Sequence, residues 1–213
     1  ELQDAMQAGA ARNAVDCAYW DLEAKRAGRR VWELIGHKAP EGLITAETLS
    51  IDTPDNMREA ARKIAHAPLL KVKLNGENVV ESVRAVREGS PRARIIVDAN
   101  EAWSLDLLED IGAELDGLGV EMIEQPLPAG QDDGLIDIDC PVLLCADESV
   151  HTLADIPRLA NLYDMINIKL DKTGGLTGAL ELAEAASKAG MQLMTGCMVG
   201  TSLAMAPAMI TGA

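Results

Sequence analysis

From residue 43 onward the chain alternates short apolar runs with longer stretches that are apolar at every third or fourth position. Short runs bounded by turn residues read as buried strands, and the longer periodic stretches as helices laid over them. Strands are expected at 43–49, 69–74, 94–98, 120–124, 142–146, 165–170 and 192–195. Helices are expected at 54–67, where Thr53 is a natural N-cap and Pro54 a first helical residue, and at 77–88, 104–115, 152–162 and 177–189. The segment 129–139 is acidic and weakly patterned, a short helix at best, and a last helix runs to about Ile210. Ahead of the first strand, 1–27 is helical in pattern, with Val15, Ala18, Tyr19 and Leu22 on its apolar stripe, and a second short apolar element spans 31–35. Such alternation of β and α implies a parallel sheet.

The strands are not uniformly apolar. In the second, Lys71 and Lys73 share a face with Leu69, while Leu70, Val72 and Leu74 take the other. Two lysines on one face of a buried strand require partners, because an unpaired buried charge is costly. Asp98 ends strand three, Glu124 ends strand four, Asp147 follows strand five and Lys169 follows the apolar run of strand six. The spacings from Lys73 are 25, 26, 23 and 22 residues (98−73, 124−98, 147−124, 169−147). These are near the strand-plus-helix repeat of a (β/α)8 barrel, whose ~250 residues give roughly 31 per unit. An open doubly wound sheet gathers its ligand at one switch point. Five ionisable groups on five consecutive strand ends converge only if the sheet closes. The expected fold class is therefore α/β, a TIM-type (β/α) barrel domain. It has no eighth strand, and both ends read as cut from a longer chain. The domain expectation is one partial barrel over 1–213, with 1–41 a helical lead-in and 42–213 strands one to seven with their helices.

Three carboxylates at one barrel mouth resist joint ionisation unless a cation joins them, and three hard oxygen donors suit Mg2+. Lys73 and Lys169, four strands apart in a ring of eight, would face each other. Opposed amines can take a proton from the carbon beside a carboxylate and return one to the other face. Lys71 is then a neighbouring cation that tunes Lys73. His37, His66 and His151 have no metal-ligand spacing and read as surface or capping residues.

Composition narrows this reading without redirecting it. The 213 residues are 48% hydrophobic and 25% charged, with a net charge of −15, which disfavours nucleic acid and anionic membrane as partners. No apolar run approaches the ~20 residues of a membrane span. Four cysteines (Cys17, Cys140, Cys145, Cys197) without C-x-x-C spacing read as reduced thiols, and the expected location is cytoplasmic.

Five motifs in order, Lys71-Val-Lys73, Val97-Asp-Ala-Asn-Glu-Ala-Trp103, Ile123-Glu-Gln-Pro126, Ala146-Asp-Glu-Ser149 and Asn167-Ile-Lys-Leu-Asp-Lys-Thr-Gly-Gly175, resemble the barrel domain of the enolase superfamily. Within it they are most similar to the dipeptide epimerases of the muconate-lactonizing subgroup, of L-Ala-D/L-Glu type. The resemblance implies Mg2+ on Asp98, Glu124 and Asp147, and Lys73 and Lys169 as acid/base pair in a 1,1-proton transfer through a metal-stabilised enediolate. It further implies supporting or substrate-facing roles for Lys71, Asn100, Glu148 and Asp171. A small dipeptide substrate, a role in cell-wall peptide metabolism and an N-terminal α+β capping domain come with it, and a homo-oligomer is compatible. Other subgroup activities (N-acylamino-acid racemase, muconate cycloisomerase, o-succinylbenzoate synthase) share the proton abstraction and stay open. A non-catalytic binding barrel would be expected to have lost at least one of the five charged groups, and all five are present.

Overall fold

Residues 1–212 are described by a computed structural model. In chain order the elements are α1 (Leu2–Ala5), α2 (Ala10–Ala27), α3 (Val31–Leu34), β1 (Glu47–Leu49), α4 (Pro54–Lys63), β2 (Leu69–Lys73), α5 (Val79–Gly89), β3 (Arg94–Asp98), α6 (Leu105–Gly117) and β4 (Val120–Glu124). They continue with β5 (Leu143–Ala146), α7 (Ile156–Leu159), β6 (Met165–Ile168), α8 (Leu170–Thr173), α9 (Leu176–Lys188), β7 (Gln192–Thr195), α10 (Ser202–Met205) and α11 (Ala208–Thr211). Single 3-10 turns lie at Asp133–Asp137 and Leu153–Asp155. The chain forms two compact units, one of residues 44–149 with 161–165, the other of 1–43, 150–160 and 166 onward.

In the first unit, β1 to β5 pair in sequence order, every pair parallel. The alternation expected of β2 is present: Leu70 and Val72 are fully buried, whereas Lys71 and Lys73 on the other face are half-buried. Ile95, Val97 and Ile123 continue the apolar face, and Met57, Ala61, Val83, Val86, Leu108 and Leu115 from α4, α5 and α6 complete the core. The expected cap of α4 is present, and α6 is capped in the same way by Ser104, the residue before its first turn. Thr53 Oγ1 accepts from the Asn56 amide at 3.4 Å, and Ser104 Oγ from the Leu107 amide at 3.2 Å. Helices α4 and α5 come close at Gly89, where a Cβ would collide with the Arg58 carbonyl oxygen and stand 2.8 Å from Ala61 Cβ.

The second unit departs from the amphipathic pattern. Tyr19 and Leu22, on the expected apolar stripe of α2, are 58% and 40% exposed, and the buried positions are Asn13, Asp16 and Ala24. The reason is hydrogen bonding to unpaired helix ends. Asp16 accepts from the Thr177 amide (2.9 Å) and hydroxyl (2.7 Å) at the start of α9. Arg12 donates to the Thr173 and Gly174 carbonyls, at 2.7 and 3.1 Å, at the end of α8. Gly174 and Gly175 have φ of +71° and +124°, and a Cβ on either would collide with Arg12 or Asp16. Strands β6 and β7 are neighbours here, joined past their ends by the Gly196 amide on the Ile168 carbonyl at 2.9 Å.

Several expected boundaries shift. The first strand begins at Glu47, and Leu43 and Ile44 are exposed. The expected helix 152–162 is a 3-10 turn followed by one α-helical turn with Pro157 in its first turn. Strand six stops at Ile168, and Lys169 is the N-cap of α8, a short helix that the pattern does not predict. The last helix is two pieces separated around Pro207, whose ring nitrogen has no proton to donate.

Gly89→Ala tests the α4–α5 contact, since the new methyl group meets backbone that cannot rotate away. A loss of about 1–3 kcal/mol is expected in chemical denaturation; unchanged stability would show that the two helices part freely.

Candidate active site

Strand register assembles the charged cluster of the first unit. Lys73 is the partner of Asp98 across β2 and β3, Asp98 of Glu124 across β3 and β4, and Glu124 of Cys145 across β4 and β5. Partners in register share a face, and Asp147 follows two residues beyond Cys145. The sequence spacing therefore becomes one row at the C-terminal strand ends. Asp98, Glu124 and Asp147 are almost completely buried, at 1%, 0% and 1% exposure.

Lys71 Nζ lies between two of these carboxylates, 2.8 Å from Asp98 Oδ2 and 2.5 Å from Glu124 Oε2. Lys73 Nζ donates to Asp98 Oδ2 and to Asn100 Oδ1, both at 2.6 Å. Asn100 then links the row to the turn after β5: its amide nitrogen donates to Glu148 Oε1 at 3.2 Å, and its backbone N–H to Asp98 Oδ1 at 3.0 Å. Asn100 and Glu101 hold φ of +42° and +67°, as a tight reversal directly after a strand requires.

The electrostatics of the cluster are asymmetric. Burial alone would push the Lys71 ammonium down, but the attraction of Glu124 and Asp98 outweighs it and raises that group above the ordinary lysine value. The Glu124 carboxyl is also pushed up, first by burial and then by Asp98 and Asp147, against the opposing pull of Lys71. The two directions look contradictory for one ion pair. They are consistent because a single ammonium serves two carboxylates, so Lys71 gains two anions while Glu124 gains one cation and two repelling neighbours. Lys71 is thus held charged, while Asp98 and Asp147 repel the Glu124 carboxylate.

That residual repulsion among three hard oxygen donors is what a small divalent cation relieves, and the donor set fits Mg2+. Among the described residues, no three such side chains are already gathered as a cation cage. The lysine ammoniums take up oxygens of Asp98 and Glu124, so a cation would share or replace those contacts.

In the second unit, Lys169 caps α8 with extended backbone (φ −125°, ψ 126°) and a half-buried side chain. Asp171, two residues on, accepts from Asn13 Nδ2 at 3.1 Å and lines a cavity of 390 Å³ with Cys197, Met198, Val199 and Met205. Lys71, Lys73, Asp98, Asn100, Glu124, Asp147 and Glu148 thus come together in one unit, while Lys169 and Asp171 belong to the other. His151 precedes the Leu153–Asp155 turn, and its backbone N–H donates to Asp155 Oδ2 at 2.9 Å; Thr152, not His151, is the N-cap there.

A buried polar group escapes the sequence reading. Gln125 is fully buried beside Asp132, with Ser149 and Tyr163 at 8% and 5% exposure. Gln125 stands in the Ile123-Glu-Gln-Pro126 motif, but only its φ of +37° and its hydrogen bonds reveal a role. Burial and Asp132 raise the Tyr163 phenol, so it acts as a neutral donor.

Known proteins resemble this chain over most of its length. Residues 56–213 match the family described as enolase C-terminal domain-like, and residues 1–36 match the mandelate racemase/muconate lactonizing enzyme N-terminal domain. The chain is 51% identical to an N-acetyl-D-glutamate racemase of a Pseudoalteromonas species and 49% identical to the L-Ala-D/L-Glu epimerase of Escherichia coli (strain K12), covering 98% of this chain and 66% of each relative. It therefore spans a little under two thirds of their length. A crystal structure of the Methylococcus capsulatus dipeptide epimerase, complexed with Mg and the dipeptide L-Arg-D-Lys, superposes with a TM-score of 0.92 at 35% identity, over 99% of this chain and 62% of that one. The likeness carries the expected barrel architecture, and with motifs, fold and relatives in agreement, the chain belongs to the enolase superfamily as part of a mandelate racemase/muconate lactonizing-type protein.

Proposed function

We propose that the protein is a Mg2+-dependent isomerase that inverts the α-carbon of a glutamate whose amino group is acylated, with the L-Ala-D/L-Glu dipeptide as leading substrate. The observation that carries this reading is the buried row of Lys73, Asp98 and Glu124 with Lys71 and Asp147, in a chain 49% identical to an L-Ala-D/L-Glu epimerase. A second reading, N-acylamino-acid racemisation, is favoured by the 51% identity to the N-acetyl-D-glutamate racemase. The two substrates share an N-acylated glutamate and differ in whether the acyl group bears an ammonium.

Asp98, Glu124 and Asp147 would hold Mg2+, which when bound supplies fixed positive charge for the substrate carboxylate. Lys73, as the free amine, takes the α-proton from one face. Lys169, as the ammonium, delivers a proton to the other, and the roles exchange for the opposite enantiomer. Asn100 aims the Lys73 amine by accepting one of its N–H bonds, and Glu148 in turn orients Asn100. Lys71 stays charged against Asp98 and Glu124 and limits the negative charge left in the row. Asp171 would take part in holding the substrate.

The same reading takes 1–41 as the helical lead-in and 42–213 as the barrel segment. No described helix is long and apolar enough to cross a membrane, and the four cysteines are free thiols. Both features accord with a cytoplasmic enzyme.

Incubation of the intact protein in D2O with Mg2+ separates the two readings. Deuterium is expected at the glutamate α-carbon of L-Ala-D-Glu, faster than in N-acetyl-D-glutamate; the reverse order would favour the racemase, and no exchange in either would end the proposal. Lys73→Ala and Lys169→Ala should each lower epimerisation by at least about 10²–10⁴-fold. Near-normal turnover in either variant would refute the two-lysine scheme.

A further inference from the structure

Gln125 makes five hydrogen bonds from complete burial, and their directions are fixed by one carboxylate. Ser149 Oγ and Tyr163 Oη both donate to Asp132 Oδ2, at 2.5 and 2.9 Å. A hydroxyl that gives its proton to a carboxylate can only accept from its other neighbours. Both oxygens therefore face Gln125 Nε2 as acceptors, at 2.9 and 3.1 Å, as does the Leu127 carbonyl at 2.8 Å, so the amide's two N–H groups are shared among three acceptors. This sets which end of the amide is which. Gln125 Oε1 must point the other way, where it accepts the backbone N–H groups of Asp147 at 2.9 Å and Ser149 at 3.1 Å. The backbone assists, as the Gln125 N–H donates to the Cys145 carbonyl at 2.8 Å.

We infer that Gln125 is a positioning residue for the cation site: its amide, oriented by Asp132 through Ser149 and Tyr163, fixes the backbone from which the Asp147 carboxylate projects. Glu124 and Gln125 are consecutive, so one short segment supplies a carboxylate from its own side chain and holds the turn that supplies another. Asp147 lies one residue beyond β5, and there the glutamine amide holds its backbone N–H. Ligand-orienting partners of this kind typically change metal affinity by ~10–100-fold when removed.

The inference rests on the proposed Mg2+ site, and the test distinguishes the failure of either. Mg2+ is titrated calorimetrically into the metal-free intact protein as wild type, Asp147→Asn, Gln125→Met and Tyr163→Phe, with thermal unfolding of each recorded in parallel. Gln125→Met keeps the length of the side chain and removes its hydrogen bonds; its Mg2+ dissociation constant should rise by ~10–100-fold. Tyr163→Phe should give a smaller rise in the same direction, and raising Mg2+ should bring the kcat of both variants back toward wild type. If Gln125→Met unfolds earlier but binds Mg2+ as wild type does, the residue is merely structural and the inference is overturned. Should that variant fail to fold, unchanged Mg2+ affinity in Tyr163→Phe overturns it instead. Absence of Mg2+ binding to wild type, or unaltered binding by Asp147→Asn, would remove the cation site itself and the functional proposal with it.

Discussion

The structure of the candidate site depends on one shared ammonium. Lys71 reaches Asp98 and Glu124 at once; without it Asp98 would keep Lys73, but Glu124, with essentially no solvent access, would lose the ammonium that it shares. Desolvating even one ionised carboxylate has an effective cost of several kcal/mol. A lone pair of opposite charges would offset little of that in net terms. A lysine with two anions is a better bargain for the lysine than for either anion, which is why Lys71 is held firmly charged and Glu124 is pushed toward its acid form. The cluster is thereby stable enough to fold and still retains unrelieved negative charge.

Backbone register turns this electrostatic problem into a site. Parallel pairing brings Lys73, Asp98 and Glu124 into adjacent positions, and the apolar opposite face, with Leu70, Val72 and Val97 fully buried, prevents a one-residue slip that would exchange the two faces. The strand ends are where ladder hydrogen bonding stops, and there the chain uses side chains to restrain itself. Asn100 receives Lys73 and holds Glu148, while Gln125 holds the Asp147 turn. Amides suit both tasks, since each offers a donor and an acceptor without adding charge to a crowded cluster.

Much of this was legible from periodicity. Strands three and four occur at 94–98 and 120–124, as expected, because 95–97 and 122–123 are apolar runs each closed by an acid, and the charged Arg94 and Glu121 before them face solvent. The row of charges was legible for the same reason. What was not legible depends on tertiary contacts. The stripe of α2 failed because its buried face is polar, with Asn13 and Asp16 bonded to side chain and backbone of the 171–177 segment. Strand six was read too long because an apolar Leu170 continues the run into what is α8. Gln125 and Tyr163 could not be singled out, because a buried amide and an exposed one are identical in sequence and only burial gives their hydrogen bonds consequence.

The central claim is that Lys71 and a divalent cation compensate the same buried carboxylates. It is tested most directly by urea denaturation of Lys71→Met and wild type, each metal-free and with saturating Mg2+. Removing one partner of a buried ion pair costs about 3–5 kcal/mol, and a loss of that order is expected in the metal-free variant. Mg2+ should then stabilise the variant more than it stabilises wild type. A metal-free variant as stable as wild type, or one indifferent to Mg2+, would contradict the account.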